Sequence, residues 1–264
     1  MKKLILIIIA LAAFCFEGRS WCFSHKVAAH IAMQHLTPQT KSALDYYFDG
    51  SIVEYSLWMD RYRYEPVVWA QNRGHSGACN EDYSCNTSID VPGKENIEPY
   101  IIKTTDLLKN YKELPDSVVR TELKFLIHSV GDMHCPVHIK GYNIPNKNVK
   151  LVYEGKSMTY HALWDVALER MYPELKLKVG LFTKKIDSGV TDEMAQSMIQ
   201  GNALDWGKER NILCKDLYAW IKPGDVIDKT YFDQHGHLAD EMVLKAGYRL
   251  AHLLNLIFDE NYSK

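Results

Sequence analysis

Leu126-Ile-His-Ser-Val-Gly-Asp-Met-His-Cys-Pro-Val-His138 is the stretch that decides the fold of this chain. It continues a run from Glu122 in which Leu123, Phe125, Leu126, Ile127 and Val130 recur at helical spacing, the mark of an apolar helix turned into a core. His128 and Asp132 are four residues apart, so they lie one turn above each other on the same side of that helix. A neutral imidazole nitrogen and a carboxylate oxygen so placed can grip one metal ion. Pro136 has no N–H and clashes with the preceding turn, which ends the helix and releases His138 onto a loop beside the same point. A lone His-x-x-x-Asp is weak, because a histidine on an apolar helix is more often a hydrogen-bonded core residue. A second pair, His161-Ala-Leu-Trp-Asp165, opens another apolar helical stretch. Two ligand-bearing helices favour a metal cluster over two unrelated buried histidines.

Working outward, the pattern predicts helices over Lys26–Leu36, from Thr37-Pro38 to Gly50, and from Ile52 to about Tyr62. Thr37 is suited to cap and Pro38 to the first turn. Further helices are expected over Glu95–Asn110, Ser117–Met133, Thr191 to about Cys214, and Phe232–Phe258. Gly77–Gly93 and Gly141–Asn148 read as loops. Val149–Tyr153 alternates as a strand, with Glu154-Gly155-Lys156 as a hairpin turn. The expected fold is all-α, with one small β-hairpin in a single domain.

Composition fits a globular chain: 264 residues, 47% hydrophobic and 24% charged, with a net charge of −2. The Lys and Arg residues are scattered, so a polyanion would need a local cationic site rather than a basic surface. Met1-Lys-Lys3, an apolar run from Leu4 to Phe16, and Gly18-Arg-Ser20 read as a secretory signal peptide over 1–20, leaving 21–264 as the mature domain. A lipidated cut at Cys15 is disfavoured by Phe14. No membrane span is expected, and the product is secreted or periplasmic and monomeric. Five cysteines follow the leader, Cys22, Cys79, Cys85, Cys135 and Cys214, and an odd number leaves at least one thiol over.

The candidate metal ligands are Trp21, His25, Asp60, His75, His128, Asp132, His138, His161 and Asp165. A cut after Ser20 gives Trp21 a free α-amino group that can chelate together with its carbonyl; the plain alternative is a buried tryptophan anchoring the first helix. Asp60 and His75 could reach inward from neighbouring segments or lie on the surface. Cys135 is set below a buried thiol because better-placed histidines flank it. Imidazoles and carboxylates without thiolate match zinc in an enzyme. Three Zn²⁺ against three carboxylates leave about +3 of formal charge, the anion site that the surface lacks. Such a cluster favours phosphoryl ester hydrolysis: two ions roughly 3.5–4 Å apart share a hydroxide of lowered pKa while a further ion neutralises the leaving oxygen. Asp132 is central and suited to bridge two ions. Arg63, close to Asp60, could hydrogen-bond transition-state charge or be a solvated helix end. Asp60, Arg63 and Asp132 are the candidate catalytic residues.

At these residues the chain resembles the zinc-dependent, single-strand-specific nucleases and 3′-nucleotidases of the S-one/P-one type. The resemblance rests on Trp21 with His25, Asp60 with His75, the His128–His138 segment, and His161 with Asp165, and it spans Trp21 to about Ala251. It implies one ion held by Asp60, His75, His128 and Asp132, a second by Trp21, His25 and Asp132, and a third by His138, His161 and Asp165. It implies that Arg63 is the transition-state arginine, that Cys79 pairs with Cys214, and that single-stranded nucleic acid or nucleotides are cut to leave a 5′-phosphate. Ser76 and Ala78 depart from the family's aromatic and acid, which sandwich a base. A zinc phospholipase C, and an exported zinc-binding protein without turnover, are the competing readings.

Overall fold

The computed structural model describes residues 22–62, 75–87, 96–141 and 149–262. The leader and its cleavage site, Trp21, Arg63 and residues 142–148 of the loop read from Gly141 lie outside these residues.

Helix α1 (Cys22–Gln34) is followed by α2 (Pro38–Phe48), whose cap is as expected: the Thr37 hydroxyl accepts from the Thr40 amide at 3.2 Å. The predicted third helix begins as a 3₁₀ segment, Val53–Leu57, and becomes α3 only over Trp58–Tyr62. Next come α4 (Ile97–Leu108) and α5 (Asp116–His134), the latter ending two residues before Pro136. After the hairpin lie α6 (Tyr160–Asp165), α7 (Ala167–Met171) and α8 (Val179–Asp187).

The two long C-terminal helices are each divided. The first is split into α9 (Asp192–Met198) and α10 (Ala203–Ala219). Gly201 sits between them at φ +81°, and Asn202 with Asp205 forms a reciprocal capping box that starts α10. The second is split at Gly236 into α11 (Lys229–His235) and α12 (His237–Phe258).

The strands are few and short. β3 (Lys150–Tyr153) and β4 (Lys156–Thr159) make the expected antiparallel hairpin, with Glu154 and Gly155 at positive φ in its turn. β5 (Val226–Ile227) adds a parallel strand to it. The region read as loop from Gly77 contains β1 (Gly77–Cys79), which pairs in parallel with β2 (Ile139–Gly141) directly after His138. That pairing sets the segment after His75 beside the end of the organising stretch. The chain from Asn80 to Cys85 is tied to α10 by Asn211, whose amide donates to the Tyr83 carbonyl at 2.9 Å, and by the Cys85 thiol on the Leu204 carbonyl at 3.4 Å.

Two apolar clusters flank α1. One gathers Ala29, Leu44, Ile101, Leu126 and Leu254 from α1, α2, α4, α5 and α12. The other gathers Phe23, Val27, Trp164, Phe182, Leu217 and Val243 from α1, α6, α8, α10 and α12. Helix α12 approaches α1 so closely that a Cβ at Gly247 would come within 2.5 Å of Ile31. Only a residue without a side chain permits that contact. The helical mass therefore holds α1, α5 and α6 rigidly against each other, and these three helices carry His25, Asp132 and Asp165.

Candidate metal centre

Asp132, fully buried in the last turn of α5, is the hub. Its Oδ1 lies 3.1 Å from His25 Nε2 and 3.1 Å from His138 Nδ1. Its Oδ2 lies 2.9 Å from His75 Nδ1 and 3.1 Å from His128 Nε2. Four imidazoles from α1, α5, and the segments leading into β1 and β2 thus converge on one carboxylate. Asp60 on α3 stands at the edge, its Oδ1 3.9 Å from His128 Nε2. On the far side His138 reaches Asp165, with Nε2 to Oδ1 at 3.2 Å, and His161 meets the other oxygen of Asp165 at 3.2 Å. His138 therefore stands between the two carboxylates.

The histidines are oriented from behind. His128 Nδ1 donates to the Ser56 carbonyl at 2.7 Å, which turns its Nε2 toward the site. The rings of His25 and His128 stack with centroids 4.4 Å apart, as do His138 and His161 at 4.8 Å. The Ser56 contact was not legible from the sequence, because a backbone carbonyl on a 3₁₀ turn carries no residue signature. His134 faces the other way: its Nδ1 donates to the Val130 carbonyl at 2.7 Å, and its Nε2 accepts from Arg249 at 2.9 Å. Burial and the Arg249 charge hold its pKa well below the usual histidine value, so it stays neutral and structural.

The electrostatics follow from burial set against pairing. Burial alone would raise Asp132, but His128 and His138 outweigh it and hold the carboxyl well below the usual range. Asp165 is likewise lowered, its burial outweighed by hydrogen bonds from His138 and His161. Burial pushes His25 down, with the His128 charge adding to it. For His128 and His138 burial also pulls down, yet their acidic neighbours prevail and both are raised, His138 well above the ordinary value.

These residues fit a metal. The atoms of His25, Asp60 and His128, of His75, His128 and Asp132, and of Cys135, His138 and Asp165 form three groups, with the atoms of each within 4.8 Å of one another. His138 Nδ1 is buried 3.1 Å from Asp132 Oδ1 yet makes no hydrogen bond, an arrangement suited to two donors facing a shared cation. Every described candidate, namely His25, Asp60, His75, His128, Asp132, His138, His161 and Asp165, belongs to this one constellation. Cys135 joins its edge, with Sγ 4.0 Å from Asp165 Oδ1 and burial raising its pKa.

The chain matches the S1/P1 nuclease family profile over residues 20–259. This protein belongs to the S1/P1 nuclease family. It is similar to nuclease S1 of Aspergillus oryzae, 26% identical over 88% of this chain and 90% of that one. It is also similar to nuclease P1 of Penicillium citrinum, at 22% over 91% and 98%, and to endonuclease 3 of Arabidopsis thaliana, at 25% over 86% and 81%. Within this S1/P1 family chain, Ser76 and Ala78 flank Gly77, whose amide donates to the His138 carbonyl at 3.0 Å. Neither side chain offers a ring on which a base could stack.

One position in the family chain tests the geometry directly. A Cβ on Gly131 would overlap the His25 ring, which is pinned between His128 and Asp132. Helix propensity alone favours Gly131→Ala by about 1 kcal/mol, whereas overpacking a tight core costs about 1–3 kcal/mol. The overlap is expected to win. Gly131→Ala should lower the melting temperature and weaken metal binding about 10–100-fold, the range typical of disturbed ligand orientation. Calorimetric titration of the chelator-stripped protein measures it; an unchanged affinity would place His25 outside the metal set.

Proposed function

We propose that this family member is an exported, single-strand-specific nuclease that uses three zinc ions, with cleavage leaving a 5′-phosphate and with 3′-nucleotidase activity at the same centre. The observation that carries the reading is the Asp132 carboxylate ringed by His25, His75, His128 and His138. Nitrogen and oxygen donors without a thiolate in the inner ring suit zinc in a catalytic setting. Zinc bound there would supply an activated water of lowered pKa and a positive charge against the phosphate. In this reading Asp60, His75, His128 and Asp132 hold one ion, His25 and Asp132 a second with Trp21, and His138, His161 and Asp165 a third.

The chain's own groups then have separate tasks. Asp132 keeps two subsites at a fixed spacing, since both of its oxygens are engaged and its helix is buried. Ser56 fixes the tautomer of His128 by accepting from Nδ1, leaving Nε2 as the donor atom to metal. His75 and His161 are the most exposed of these groups, with side chains 29% and 25% exposed, and a phosphate would reach the centre past them. Arg63, three residues beyond Asp60, is assigned to transition-state charge on sequence grounds. The leader read from Met1 to Ser20 supports export, and no helix among the described residues is long and apolar enough to cross a membrane.

The test is a hydrolysis panel with the purified mature protein: denatured DNA, RNA, 3′-nucleotides and phosphatidylcholine, each with and without chelator, alongside metal analysis. Release of 5′-nucleotides that chelator abolishes and zinc restores is expected. Phosphocholine release without nucleotide release would reassign the protein to the phospholipases, and hydrolysis indifferent to chelator would end the reading. Three bound ions without turnover of any substrate would leave only a zinc-binding protein.

A further inference from the structure

Behind the metal centre lies a buried charge pair with no part in the ligand set. Arg210 on α10 and Glu98 on α4 are both fully buried, and the guanidinium is paired to the Glu98 carboxylate through Nη2. The same nitrogen donates to Asn211 Oδ1 at 2.8 Å, and Nε donates there at 3.2 Å. Nη1 donates to two backbone carbonyls, His138 at 3.3 Å and Met133 at 3.4 Å. An arginine has five N–H donors in a fixed fork, and these five bonds use all of them.

Its targets are what single Arg210 out. The His138 carbonyl belongs to a candidate ligand and also accepts the Gly77 amide at 3.0 Å, two residues after His75. Met133 directly follows Asp132. Gly77 is pressed against the pair so closely that a Cβ there would overlap both Glu98 and Arg210. One guanidinium therefore fastens the backbone at two ligand-bearing places, the last turn of α5 and the entry to β2, and packs against a third, Gly77 at the start of β1. A buried ion pair is weak evidence of a stability role, because well-packed apolar residues often replace it without loss. The directional bonds to carbonyls are what apolar residues could not supply.

We propose that Arg210, paired with Glu98, is a positioning residue for the metal centre: it sets the spacing of His138, Asp132 and His75 by bonding the carbonyls of His138 and of Met133, next to Asp132, and by packing against Gly77, two residues after His75. The inference rests on the metal reading given above. Outer partners of metal ligands typically contribute 10–100-fold in affinity, and a lysine, which presents a point charge on a flexible stem, cannot reproduce the fork.

The experiment compares the full mature chain with Arg210→Lys, Glu98→Gln and the apolar double variant Glu98→Leu/Arg210→Met. Each is stripped with chelator and titrated with Zn²⁺ by calorimetry, and melting temperatures are taken in parallel. The expected result is a zinc affinity 10–100-fold below wild type in every variant that folds. The double variant should regain melting temperature without regaining affinity. Wild-type affinity in a folded variant, or affinity restored together with melting temperature in the double variant, would overturn the assignment to Arg210. Wild-type protein that bound no zinc would instead overturn the metal reading, and the positioning role with it.

Discussion

Asp132→Asn should reduce hydrolysis by more than about 10³-fold, well beyond the 10–100-fold typical of residues that only support a ligand. The substitution keeps the shape of the side chain and removes its charge. Two imidazoles face each carboxylate oxygen, so an amide must present N–H donors to one pair of them and can bind metal through only one atom. In the chelator-stripped protein the cost appears as stability. Breaking a buried ionic pair by removing one partner costs about 3–5 kcal/mol, and here several histidines lose the same partner. Metal analysis and initial rates on denatured DNA read the first effect, and chemical denaturation reads the second. A variant that kept its full metal content and a tenth of its activity would show that Asp132 does not join two subsites.

The second large effect is the dependence of metal stabilisation on pH. In the stripped protein, Asp132 and Asp165 have lowered pKa values, so their contribution is present above about pH 4, the unfolded carboxylate value, and is lost as pH falls through the folded ones. His128 and His138 are raised. Their contribution is present below about pH 6.5 and is lost as pH rises through their folded values. His25, lowered by burial, works in the opposite direction. The stripped protein should therefore be most stable in mild acid and weaken toward alkaline pH. Metal requires neutral imidazoles, so its benefit grows in the range where the stripped cluster fails. At free zinc about 1,000 times its dissociation constant the gain is about 4 kcal/mol, or about 10 °C at roughly 2–4 °C per kcal/mol for a chain near this size. Melting curves with and without chelator should diverge from near coincidence at pH 4.5 to that gap at pH 8. A constant gap would mean that the histidines are not in competition for protons and metal.

The helix carrying His128 and Asp132 was legible because one face of it is apolar and the other two markers, Pro136 and the four-residue spacing, are local. The same holds for Thr37-Pro38 and for the Glu154-Gly155 hairpin. Gly201-Asn202 was legible in principle, as a positive-φ glycine followed by a capping residue, but the apolar pattern on either side ran through it and suggested one helix. Strand β1 has three residues and exists only through its pairing with residues about sixty positions later, which no local pattern encodes. Glu98 and Arg210 resemble solvated charges on amphipathic helices, and only the packed fold reveals that they face each other. The pairing of Cys79 with Cys214 followed from family likeness alone, and the hydrogen bonds of Asn211 and Cys85 that hold the same loop carry no signature in the sequence.

Helix α1 brings His25 to Asp132 across 107 positions of sequence, and it is held there by α12, which crosses it at Gly247 near the other end of the polypeptide. Helix α1 also packs on the Val53–Leu57 turn, on α5 and on α8, so α12 completes the seat of this first ligand-bearing helix rather than beginning it. A chain truncated before α12 lacks one wall of the seat that holds His25, so its metal affinity should fall below that of the full chain. The two ends of the chain thus meet at one wall of the metal centre, and the last part of the polypeptide to be synthesised is the part that closes it.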